Sequence, residues 1–86
     1  MYKIFFAGKS SKEITKLSTI NKKRVADKLQ QLDYPFSNSL DITKMSGEDD
    51  YFRIRVGDIR IIFLINHKTK EIIIRKVASR GSVYKF

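Results

Sequence analysis

The 86 residues carry 18 lysines and arginines against 9 acidic residues, a net charge of +9, with 42% hydrophobic and 31% charged content. That length fits one small domain over residues 1–86, with a thin core and no room for a second domain. With no cysteine and a single histidine, His67, the chain has neither a disulfide framework nor the ligand set of a conventional metal site, and no cofactor is expected. No apolar run reaches the length of a membrane span, and the start at Met1–Ala7 lacks the basic n-region and cleavage pattern of a signal peptide; the absence of cysteine fits a reducing cytoplasm, the expected location.

Tyr2–Ala7, rich in aromatic and β-branched residues, reads as a first strand. Ser10 with Glu13 three residues later matches a capping box and opens a short helix with Ile14 and Leu17 on one side. Ser18, Thr19 and Asn21 are alternative starts of a second helix; with Asn21 as cap, Ile20 and Val25 form its hydrophobic staple. Val25, Leu29 and Leu32 recur at helical spacing as the buried stripe, and Lys22, Lys23, Arg24 and Lys28 populate a solvated face. Pro35 closes this segment within a loop spanning Asp33–Asn38.

Ile42–Met45 reads as a short strand, followed by a Ser46–Gly47 turn and the acidic patch Glu48–Asp50, whose adjacent carboxylates do not converge on one site. Tyr51–Val56 and Ile59–Phe63 then flank a two-residue Gly57–Asp58 turn, a strong hairpin signal. That loop length sets Val56 against Ile59, Arg55 against Arg60, Ile54 against Ile61 and Phe52 against Phe63. Alternation puts the apolar residues on one face and Arg53, Arg55 and Arg60 on the other. Like charges placed directly opposite cost roughly 0.2–1 kcal/mol, so the arginine face points to an anionic ligand. Ile62 and Leu64 share this face, to be covered by the tail (Val83, Phe86) or by a partner. After a polar loop holding an exposed His67, Glu71–Ile74 opens a last strand buried on both sides. The predicted class is α+β: a small antiparallel sheet in the order β-α-α-β-β-β, with Ile42–Met45 as a further short strand and two helices packed on one side.

The field of a +9 chain attracts nucleic acid or an acidic protein, and no amphipathic membrane helix is evident. If the last strand neighbours the hairpin, Arg80 and Tyr84 approach the three arginines. Guanidiniums bind phosphate bidentately and stabilise charge that builds in a transition state, while a tyrosine stacks on a base or meets a reacting oxygen.

Two stretches, Tyr51-Phe52-Arg53-Ile54-Arg55-Val56-Gly57-Asp58-Ile59-Arg60-Ile61-Ile62-Phe63 and Val77-Ala78-Ser79-Arg80-Gly81-Ser82-Val83-Tyr84, closely resemble the RelE/ParE superfamily of prokaryotic toxins. The resemblance runs over almost the whole chain. It implies a microbial ribonuclease fold and the toxin of a type II toxin–antitoxin system, cutting messenger RNA in the ribosomal A site. In RelE-like members the ribose 2′-hydroxyl attacks the adjacent phosphate without a metal, leaving a 2′,3′-cyclic phosphate and a 5′-hydroxyl. By that likeness Arg60 and Arg80 grip the scissile phosphate, Tyr84 stacks on the nucleotide, Arg55 assists catalysis, and Arg53, Arg55 and Lys85 bind RNA. The implied partners are a cognate antitoxin that shields the basic surface, the ribosome and messenger RNA. RelE itself has lysines where Arg53 and Arg55 stand, and many relatives have a histidine where this chain has Ser79, so the cluster holds no evident general base. Two other readings stay open: a ParE-type inhibitor of DNA gyrase, and a catalytically weak binding protein.

Overall fold

A computed structural model of the chain describes residues 1–45 and 51–79. Among these described residues five strands, β1 (Lys3–Phe6), β2 (Asp41–Lys44), β3 (Tyr51–Val56), β4 (Ile59–Asn66) and β5 (Glu71–Ser79), form one sheet in the order β1-β5-β4-β3-β2. Helices α1 (Ser10–Thr15) and α2 (Thr19–Gln30) follow β1. The expected class and element order hold, with one difference: β1 pairs parallel to β5, so the sheet is mixed. The two helices carry the chain from β1 at one edge of the sheet to β2 at the other.

The hairpin register is as the turn length dictates, with Val56 opposite Ile59, Arg55 opposite Arg60 and Phe52 opposite Phe63. Gly57 adopts φ +59°, the left-handed value that a Gly-first two-residue turn requires. One face of the sheet carries Ile54, Val56, Ile59, Ile61, Phe63, Ile72, Ile74 and Val77, which join Val25, Leu29 and Leu32 in a single core. Phe63 is wholly buried, stacked on Phe52 and edge-on to Phe36. The Ile72–Ile74 run departs from burial on both faces, since Ile73 is only half-buried.

Ser10 and Glu13 do not form the capping box. Lys9 occupies the cap position of α1 without a side-chain bond. The wholly buried Ser10 instead donates its hydroxyl to the carbonyls of Ile74 and Ala7, and Glu13 accepts the Val77 N–H at 2.8 Å while reaching Lys76 Nζ at 3.3 Å. The reason lies at the sheet edge. Pairing with β1 ends at Ile74, and the backbone of β5 beyond it needs other partners. The α1 side chains supply them. Helix α2 is capped by Ser18, which accepts from the Asn21 N–H, and Ile20 stands 65% exposed, so it forms no staple with Val25.

Candidate phosphodiester site

The outer face of the sheet carries the arginines in rows set by register. One row runs Asp41, Arg55, Arg60, Ala78 across β2, β3, β4 and β5. The next runs Thr43, Arg53, Ile62, Lys76. Arg53 and Arg55 are exposed and Arg60 is half-buried. Ile62 is buried on this face and Leu64 half-buried. The β4–β5 ladder shifts register after Ile62, which faces Lys76 while Phe63 faces Ile74, so Arg75 is an unopposed bulge residue. Lys76 pairs its ammonium with Glu13 at 3.3 Å.

At the hairpin tip an open depression of about 480 Å³ is lined by Asp41, Arg55, Gly57, Asp58 and Arg60. Asp41 is the member that reading along the chain missed. Its Oδ2 accepts from Arg55 Nε at 3.2 Å, with both side chains more than half exposed. Had the short strand been extended back by one residue, alternation opposite β3 would have placed Asp41 against Arg55. The repulsion between Arg55 and Arg60 is thus partly offset by a neighbouring carboxylate, an exposed contact worth no more than about 1 kcal/mol. The lining is balanced, two arginines to two carboxylates, and the cationic surplus comes from its surroundings. One contributor is Arg24 of α2, whose Nη1 comes within 3.8 Å of the position a Gly57 side chain would occupy. Sequence spacing assigned Arg24 to a solvated face because only tertiary packing brings α2 to the hairpin tip.

Arg80, Tyr84 and Lys85 lie outside the described residues, as do the Ser46–Gly47 turn, Glu48–Asp50, and Val83 and Phe86. His67 is exposed as expected, yet it is tied down: Nδ1 lies 2.8 Å from the Tyr2 hydroxyl and its ring packs edge-on to Tyr34 at 4.7 Å. This cluster sits at the end of the sheet opposite the hairpin turn.

This arrangement presents paired guanidiniums on a rigid sheet, open to solvent, with a mixed-charge rim. Comparison with known proteins places it. The chain is 28% identical to RelE in the archaeal RelE–RelB complex from Pyrococcus horikoshii, over 95% of this chain and 98% of that one, with a TM-score of 0.77. In sequence and in fold the chain is similar to the RelE toxins. Toxin RelE3 of Methanocaldococcus jannaschii is 47% identical over 47 residues, a match covering 55% of this chain and 51% of the relative, so the chain spans about half the length of that relative. The isolated Escherichia coli RelE toxin shares the fold at a TM-score of 0.79, over 96% of this chain and 88% of the other, with 19% identity. No family model matches the sequence. Among the described residues of this RelE-fold chain, no helix is long and apolar enough to cross a membrane.

Proposed function

We propose that the chain is the toxin of a toxin–antitoxin pair and cleaves messenger RNA in the ribosomal A site, through attack of a ribose 2′-hydroxyl on the neighbouring phosphate. The observation that carries this reading is the facing pair Arg55 and Arg60 at an open depression on a RelE-type sheet. Arg60, half-buried and held on a central strand, is pre-organised to meet the charge that grows on the phosphoryl oxygens. Arg55 shares that role, Arg80 joins them from the tail, and Tyr84 stacks on the exposed base. Arg53 and Lys85 bind the RNA backbone, where a planar guanidinium or an ammonium serves without sequence preference.

The proposed partners are the ribosome, its messenger and an antitoxin, all met in the cytoplasm. The antitoxin assignment is supported by the Pyrococcus relative, solved as a RelE–RelB complex. Phe5 and Phe6 of the edge strand, 46% and 38% exposed, offer apolar surface that a protein partner would cover. The gyrase alternative is not favoured, because the relatives are RelE proteins. Inducible expression followed by mapping of messenger 5′ ends on and off ribosomes tests the proposal. Codon-phased cuts that vanish in Arg60→Ala are expected. Intact messages accompanied by DNA-damage signalling would overturn it in favour of gyrase.

A further inference from the structure

The arginines that grip a phosphate cannot take a proton from a 2′-hydroxyl at neutral pH, because guanidinium stays charged. A carboxylate stands in the same depression on a rigid element. We infer that Asp41 is the general base of the cleavage proposed above, and the inference rests on that reading. Asp41 lies in register with Arg55, which lies in register with Arg60, so the three span adjacent strands along one row. Neighbouring strands are about 4.8 Å apart, so the Asp41 and Arg60 backbones lie about 10 Å apart along the row with Arg55 between them, and all three line the same open depression. Arg55 engages Asp41 through Nε, leaving its two terminal nitrogens for the phosphate. The bond occupies Oδ2, and Oδ1 has no other partner among the described residues. The charged groups around Asp41 are Arg55 beside it, Arg60 one strand further and Asp58 at the turn, with Arg24 behind the turn.

In this step Asp41 accepts the O2′ proton as the O2′–P bond forms. The P–O5′ bond breaks, and the leaving oxygen takes a proton from water. The products are a 2′,3′-cyclic phosphate and a 5′-hydroxyl, after which Asp41 returns its proton to solvent. The two roles open to Asp41 have opposite signatures. A general base contributes about 10²–10⁴-fold to the chemical step. A mere counter-charge to Arg55 opposes phosphate binding.

Single-turnover cleavage of a labelled message on programmed ribosomes, with the full chain and its Asp41→Asn variant, separates them. The expected result is a loss of about 100-fold or more in kcat with KM unchanged or lower, an unchanged melting temperature, and disappearance of the acid limb from the pH–rate profile. Wild-type kcat in Asp41→Asn, or an acid limb that persists in it, overturns the inference while leaving the nuclease reading intact. A wild-type chain that does not cut defeats the nuclease reading, and Asp41 falls with it.

Discussion

Replacing Glu13 by alanine tests how the sheet edge next to the site is held. Glu13 satisfies the Val77 N–H at 2.8 Å and pairs with Lys76 at 3.3 Å. Val77 lies opposite Ile61, the residue after Arg60. A hydrogen bond from a backbone N–H to a charged acceptor contributes about 1.5–3 kcal/mol. The Lys76 pair, roughly a third exposed on the lysine side, adds at most about 1 kcal/mol. Because the edge is near solvent, water recovers part of the N–H loss, and the net destabilisation is about 2 kcal/mol. For a chain of this size that corresponds to a fall in Tm of about 8–16 °C. Glu13→Gln keeps an acceptor for Val77 and loses only the ion pair, so its cost is below about 1 kcal/mol. Urea and thermal denaturation followed by circular dichroism read both variants. A Glu13→Ala protein within about 0.5 kcal/mol of wild type would refute the edge-capping argument.

Two other perturbations follow from local geometry. Gly57→Ala meets no crowding, with its nearest neighbour the Arg24 guanidinium at 3.8 Å, but φ +59° strains any residue with a Cβ. It should destabilise by about 1–2 kcal/mol in denaturant titration, with Gly57→Asn costing less. The Asp33 carboxyl is held below its ordinary value first by the Tyr2 N–H, at 2.8 Å, and then by the Tyr34 N–H, at 2.9 Å. A depressed folded-state value means this stabilisation is full above the unfolded-state value near 3.8 and is lost as pH falls through the folded one. Stability measured from neutrality down to about pH 2 should therefore fall less steeply in Asp33→Asn than in wild type. Parallel curves would remove Asp33 from the acid response.

What could be read along the chain was what local chemistry decides. The two-residue turn at Gly57–Asp58 sets the pairing of Arg55 with Arg60, and the spacing of Val25 and Leu29 sets the buried side of α2, with Leu32 buried just past its end. Ser10 and Glu13 satisfied a local motif and were taken by a distant strand edge, an outcome that depends on where β1 stops pairing. The parallel docking of β1 beside β5 is likewise a long-range outcome that the residues of β1 alone do not encode. Asp41 was missed by one position because strand ends carry the weakest pattern. His67 looked like any polar loop residue, since its partners Tyr2 and Tyr34 are remote in sequence. The arginine face was legible because charges repeated on one side of a strand stand out against a period of two. Its balancing carboxylates and Arg24 were not, because they converge only in space.

The central claim is that this basic face supports cleavage by a ribose 2′-hydroxyl. Purified protein is incubated with ribosomes holding a labelled message whose A-site nucleotides are ribose throughout, or carry a single 2′-deoxy sugar at the scissile position. The account predicts a cut in the all-ribose message, ending in a 2′,3′-cyclic phosphate, and none at the deoxy position. Equal cutting of both messages, or of neither, would contradict it.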